Sequence, residues 1–302
     1  MPEVSGVRRL VVACAVTLAG SMSLGAQEAT DLFWVELGDG EGAGVSEVRN
    51  LTKRAGYDNQ PAFSADGSRL FYTSQRGEGE KAQTDVWVFD LGDEEASPRA
   101  LFTTPESEYS PTPIPGEQAL SVIRVEADGA QKLWRLPLDG GRPSRILDRV
   151  EPVGYHAWVG DELVLFVLGE PHELQRVLAD RTENLGRVIA KDIGRALHKI
   201  PGEDAFSFLQ KTPEGWWIRK LDLKSDETEP LIKALDGRED FTWGPDGKLW
   251  AADGSKIFRA CPTCGEGWQP VVDLADRGIA GITRMAVHPG GRALVIVAEH
   301  RP

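Results

Sequence analysis

Cysteine, histidine and long apolar runs are scarce in this chain, and basic charge is outweighed by acidic. The 302 residues hold 3 cysteines, too few for a scaffold built on disulfides. Cys14 lies in an apolar N-terminal stretch, leaving Cys261-Pro262-Thr263-Cys264. A zinc site wants about two ligands more than this, and no nearby cysteine or histidine supplies them. A redox motif wants a helix start in a βαβ setting, whereas this one falls between the strand-like segments 256–259 and 268–272. A turn-closing disulfide, free thiols, and metal or redox chemistry all remain open, and the disulfide is the working expectation. Lys and Arg number 34 against 47 Asp and Glu, a formal net charge of -13. Nucleic-acid binding needs clustered Lys and Arg to neutralise phosphates, so no nucleic-acid partner is expected. An anionic membrane surface is disfavoured for the same reason, while the acidity favours solubility. No helical periodicity of useful length occurs. There is no Gly-x-Ser-x-Gly nucleophile elbow, no His-Glu-x-x-His and no EF-hand loop. The 5 histidines are scattered; His156 is the best placed of them for chemistry, and His198 reads as a core residue.

The only long apolar run is N-terminal. Arg8 and Arg9 precede an apolar stretch, 10–24, interrupted by Gly20 and Ser21, and Leu24-Gly25-Ala26 offers small residues before Gln27. This is the pattern of a secretory signal peptide, and the run is short for a transmembrane helix, which needs about 20 apolar residues. Residues 1–26 are therefore expected to be a leader and 27–302 the mature chain, periplasmic or secreted and without a membrane span; retention as an anchor is the alternative. The leader carries Arg8, Arg9 and Glu3, so its removal leaves the chain one unit more acidic.

What the chain has in abundance is one repeated unit. Residues 57–91 read as a short strand, an Asp66-Gly67 turn, a strand through Leu70, Phe71 and Tyr72, a polar loop, and a strand through Val86, Trp87 and Val88. The turn in Phe63-Ser64-Ala65-Asp66-Gly67 recurs in Trp243-Gly244-Pro245-Asp246-Gly247 and in Val287-His288-Pro289-Gly290-Gly291. Looser copies are Ile114-Pro115-Gly116, Val159-Gly160-Asp161 and Ile200-Pro201-Gly202. Asp-Gly and Pro-Gly are hairpin chemistry, and four strands at a period of about 40–50 residues are the signature of a β-propeller. The expected units are 57–104, 105–150, 151–192, 193–235 and 236–276, with a sixth made of 277–302 joined to 31–53. Sharing one blade between the two ends closes the ring and leaves no open sheet edge. The fold class is all-β: six four-stranded antiparallel blades, with inner strands expected to be short and apolar. Trp87, Trp134, Trp158, Trp217, Trp243 and Trp250 fall at repeat positions, where packing between blades accounts for them. Asn50-Leu51-Thr52 fits a glycosylation sequon but falls in an expected strand.

Gln60-Pro61-Ala62-Phe63-Ser64-Ala65-Asp66-Gly67 with Asp85-Val86-Trp87-Val88-Phe89-Asp90 resembles the blade motif of the TolB-like six-bladed propellers. Residues 240–247 are a second match, and the other units match in pattern. The resemblance covers 31–299 and implies a bacterial envelope setting. It is specific for fold rather than activity. The propeller is expected to start shortly after the leader, without the extra N-terminal α/β domain of TolB.

Loops entering the inner strands of a propeller ring one mouth of its channel. Gln60, three residues before Phe63, aligns with Ser110, Tyr155, Arg195, Asp240 and Arg284, so these six are expected to converge. Asp58, Glu108 and Glu239 lie just upstream, and Arg76, Arg124 and Lys211 sit in loops after second strands. Arg195 and Arg284 suit a clamp on a small anion or a peptide carboxylate, since guanidinium forks match that geometry. Alternatively, Asp240 bridges the two arginines and satisfies buried charge.

The expected function is an exported, non-catalytic, monomeric binding or scaffold protein. It would present its channel mouth to a peptide, protein segment or small anionic ligand in the cell envelope, with no cofactor, metal or catalytic residue. The alternatives are a lactonase-like propeller hydrolase with a channel site and a structural component of an envelope assembly.

Overall fold

The computed structural model describes residues 29–38, 44–77, 81–93 and 96–300. The expected leader, 1–26, with Cys14, lies outside the described residues. The described chain forms six four-stranded antiparallel sheets. Successive blades run 58–102, 107–145, 153–191, 193–233 and 241–273. The sixth is assembled from Ile279–Val287, Ala293–His300, Asp31–Leu37 and Val45–Asn50, in that order from the axis outward. Innermost strands of successive blades contact one another round the ring, the sixth touching the first. Helical structure is slight: Pro262–Cys264 and Ala275–Arg277 each form a single 3-10 turn.

Second strands build the core. Leu70, Tyr72, Leu120, Val122, Leu163, Phe206, Leu249 and Leu294 are fully buried, each contributing roughly 1.5–3 kcal/mol of transfer free energy. Inner strands depart from the apolar expectation. The first reads Asp-Asn-Gln-Pro-Ala-Phe and the second Ser-Glu-Tyr-Ser-Pro-Thr-Pro. One edge of these strands faces the channel, so they are not sandwiched between apolar layers along their length. In the second blade the outer strand is only Ser144–Arg145.

Five inner strands carry a register shift near their start: Asn59/Ala62, Tyr109/Thr112, Val153/Tyr155, Ile193/Leu197 and Ala280/Arg284. A β-bulge re-aims side chains and bends its strand. In the first two blades the displaced residues, Gln60 and Ser110, adopt positive φ of 57° and 54°. The irregularity thus recurs where the six aligned residues turn toward the axis.

Closure of the ring rests on specific contacts. Asp31 to Glu36 pair with Ala298 to Ala293 in register. Asp31 accepts hydrogen bonds from Asn50 Nδ2 (2.6 Å), Thr52 Oγ1 (2.9 Å) and the Arg54 amide (3.2 Å). The Asn50 side chain is therefore engaged in the fold at the end of its strand. On the hairpin side of the same seam, Trp34, Phe63 and His288 pack edge to face at 5.2–6.3 Å. His288 Nδ1 accepts from the Gly290 amide at 2.9 Å, so Nε2 carries the proton and donates to Gly67 O at 3.2 Å. Elsewhere blades are tied by indoles: Trp158 Nε1 donates to Ser121 Oγ (2.9 Å) and Trp243 Nε1 to Ser207 Oγ (2.8 Å), each crossing to the preceding blade.

Candidate functional site

Gln60, Ser110, Tyr155, Arg195, Asp240 and Arg284 all line one cavity of about 420 Å³ along the axis. They come from six different blades; in five of these the residue lies at or beside the register shift of its inner strand, and Asp240 directly precedes the regular strand Phe241–Trp243.

The ring is polar but largely paired. Arg195 and Asp240, on neighbouring blades, form a two-pronged ion pair: Nε lies 3.2 and 3.1 Å from the carboxylate oxygens and Nη2 adds a further bond. Burial works against the Arg195 charge, but the Asp240 carboxylate outweighs it and the guanidinium is held more firmly charged than usual. Arg284 takes a different partner. Its Nη2 donates to Tyr155 Oη at 2.8 Å, and its guanidinium carbon sits 4.7 Å from the Tyr155 ring centre. The third and sixth blades face each other, so this pair bars the mouth. Asp240 does not bridge the two arginines, and no ion pair to Arg284 occurs among the described residues. Tyr57, which sequence reasoning missed, lies within electrostatic range of Arg284, Tyr155, Tyr109 and Arg195; burial pushes its phenol up, so it stays protonated. Nothing in the repeat pattern marks Tyr57, since it precedes the aligned positions.

Gln60 and Ser110 are tied to the scaffold. Gln60 Oε1 accepts from Thr73 Oγ1 (2.7 Å) and the Ser110 amide (2.8 Å), joining the first two blades. His156 lies one residue below the ring and is 7% exposed. Its Nε2 is 2.6 Å from Ser121 Oγ, and its Nδ1 has no partner. Burial holds its pKa down to about 3, and that of His198, further along the same cavity, to about 4. Both rings are therefore neutral near pH 7.

Asp58 and Glu108 do not belong to the mouth. Both are completely buried. Asp58 is covered by Arg54 (3.0 Å) and bonded by Ser74. Glu108 takes Arg124 Nε at 2.9 Å and Thr104 Oγ1 at 2.6 Å. Their strand-start positions lie before the bulge, where Arg54 from the preceding turn covers Asp58 and Arg124, opposite Glu108 on the second strand, covers Glu108. For Glu108 burial outweighs the bonds from Thr104 and Arg124, and its pKa is pushed up to about 7. Arg76 and Arg124 are likewise not free loop cations: they stack on Trp87 (3.9 Å) and Trp134 (4.4 Å). Glu239 pairs with Lys211, which also sits 4.8 Å from the Trp216 ring centre. Glu239 lines a side pocket of about 300 Å³ whose wall includes Arg195, Asp240 and Arg284. The mouth therefore opens sideways between the fifth and sixth blades.

Among the described residues no three His, Cys, Asp or Glu side chains are grouped so as to hold a metal ion. Cys261 and Cys264 are joined by a disulfide across the Pro262–Cys264 turn, apart from the channel lining.

No protein-family model and no curated protein matches the sequence. Solved structures do resemble the fold. A protein from Agrobacterium tumefaciens assigned as TolB superposes with a TM-score of 0.69 at 13% identity, covering 91% of this chain and 99% of that one. TolB from Acinetobacter baumannii gives 0.59 at 13% identity, over 79% of this chain and 65% of that one. An oligogalacturonate lyase in complex with manganese gives 0.55 at 14% identity, over 84% and 80%. The chain has a TolB-like six-bladed propeller fold. At these identities the likeness is one of fold.

Proposed function

We propose that this propeller is an exported, monomeric binding module that holds a peptide or protein segment of the cell envelope at the mouth of its channel. The observation that carries the reading is Arg284: a guanidinium at the channel mouth whose hydrogen-bond partner is the Tyr155 hydroxyl rather than a carboxylate. A charge placed in this way favours an incoming anion or carbonyl, because little has to be broken to engage it. The Arg195–Asp240 pair gives the mouth a fixed wall, and the side pocket offers a path for an extended segment. Export is inferred from the leader-like pattern of residues 1–26, and the TolB-like fold supports an envelope setting.

The hydrolase alternative asks for carboxylate and amide groups free to converge on one point in the channel. Gln60 and Asp240 are the relevant groups at the mouth, and each already serves a protein neighbour. Binding without chemistry therefore suits the arrangement better. The test is capture of a partner from an envelope fraction by the purified chain. Arg284→Ala is expected to abolish retention while leaving the melting temperature near that of the wild type. Undiminished retention would sink the reading.

A further inference from the structure

We infer that the group received at the mouth is a carboxylate attached directly to a compact apolar group, a deepening that rests on the reading above. Among the described residues Arg284 is the mouth cation with no ion-pair partner, because Asp240 pairs with Arg195. Beside it stands the Tyr155 hydroxyl. Tyr155 Oη accepts from Arg284, and no acceptor takes the phenol's own hydrogen among the described residues. A guanidinium and an O–H donor side by side match the two oxygens of a single carboxylate. A phosphate dianion, with more charge and more acceptor oxygens, would be left under-satisfied.

What lies under the mouth sets the rest of the ligand. One residue further along each inner strand, the cavity wall is Pro61, Pro111, Ala196, Phe241 and Met285, with neutral His156 in the sixth place. At this level a charged or multiply hydroxylated group would lose hydration and find only the His156 ring among these six side chains, with Thr112 and Thr242 one residue further on. An apolar group gains from leaving water, by roughly 25 cal/mol per Å² buried. The cavity volume, about 420 Å³, is at the small end for ligand sites, so a single side chain or short alkyl tail fits better than an oligosaccharide or a nucleotide. The carboxylate stays at the Arg284–Tyr155 bar and the apolar group points down the bore. Two sources have this chemistry: the C-terminal residue of a peptide ending in an apolar side chain, and a short fatty acid.

The test is calorimetric titration of the purified full chain with N-acetyl-leucine, N-acetyl-leucinamide, N-acetylglycine and octanoate. N-acetyl-leucine is expected to bind, with the amide and N-acetylglycine each at least about tenfold weaker, which is about 1.4 kcal/mol. Arg284→Gln is expected to remove the advantage of acid over amide, Arg284→Lys to keep part of it, and Tyr155→Phe to weaken the acid a few-fold. Octanoate binding more tightly than N-acetyl-leucine assigns the site to a fatty acid, and the reverse order assigns it to a chain end. The inference is overturned if the amide matches the acid, if N-acetylglycine matches N-acetyl-leucine, or if no acid binds saturably. The comparisons among ligands use the wild-type chain, so they decide the matter even where a variant folds poorly. Arg284-dependent capture of an envelope partner without any acid preference leaves the mouth reading standing and removes only this inference.

Discussion

Arg284 and Tyr155 lie 129 residues apart in the chain and on opposite blades of the ring, yet they meet at 2.8 Å across the channel mouth. The guanidinium also rests on the phenol ring, 4.7 Å from its centre. Such a contact exists only when the ring is closed, so it reports on closure as well as on the site.

Tyr155→Phe removes the hydrogen bond and leaves the stacked ring. The expected loss is about 0.5–1.5 kcal/mol in unfolding free energy, because the cation–π contact persists. Urea denaturation of the variant against wild type measures it. A loss above about 3 kcal/mol would mean that the bar holds the propeller together rather than furnishing its mouth.

Gly67 and Gly116 both have positive φ, 73° and 74°. A Cβ on Gly67 would strike the His288 ring, whereas one on Gly116 meets nothing within 4 Å. Gly116→Ala is expected to cost only the left-handed backbone term, about 1–2 kcal/mol. Gly67→Ala pays that and also displaces the ring that joins the sixth blade to the first, so its loss should be clearly larger. Equal melting temperatures for the two variants would contradict the assigned role of His288 in closure.

His156 and His198 have folded pKa values near 3 and 4, below the ordinary 6.5. Their stabilising contribution is fully present above pH 6.5 and is lost as pH falls from there toward 4, at up to about 1.4 kcal/mol per pH unit for each ring. Glu108 acts in the opposite sense. Its pKa rises from 4.5 to about 7, so its contribution is present below pH 4.5 and is lost as pH rises through 7. Between pH 5 and 6 the two histidines outweigh it, and unfolding free energy should increase with pH. Glu108→Gln should steepen that slope and His156→Gln should flatten it, as read from urea titrations at pH 5, 5.5 and 6. The opposite ordering would contradict the burial assigned to these groups.

Cys261 and Cys264 close a loop with a sequence separation of only 3. Chain-entropy stabilisation is smaller for shorter loops, so removing the bond by Cys261→Ser with Cys264→Ser should cost about 2 kcal/mol or less. Mass spectrometry after alkylation without reductant should find both unlabelled in the purified protein. Labelling of both would place the pair among free thiols.

The ring of six positions was legible in the sequence because a propeller repeats height as well as pattern. Once Phe63, Trp158 and Trp243 are aligned on their turns, the residues three before them share a level. The split sixth blade was legible for the same reason, since the two strands missing after Val297 are supplied by 31–37 and 45–50. What escaped was the division of labour among charges. Asp58 and Glu108 lie only two positions before the level of Asp240 in the repeat, but they sit on the far side of the bulge, under Arg54 and Arg124. Arg76 and Arg124 stack on tryptophans of the adjacent strand, a pairing that depends on strand register rather than on the repeat. Pairing of Arg284 with the blade opposite, rather than with Asp240 beside it, depends on the channel's width, which no spacing encodes.

The central claim is that the mouth built on Arg284 is the binding surface, and capture from an envelope fraction tests it most directly. Wild type, Arg284→Gln and Arg135→Gln are compared at matched folding, Arg135 being half-exposed and paired with Glu117 (2.5 Å) away from the channel lining. The account expects the partner retained by wild type and by Arg135→Gln, with retention by Arg284→Gln reduced at least about tenfold, or about 1.4 kcal/mol. Equal retention by all three would contradict it.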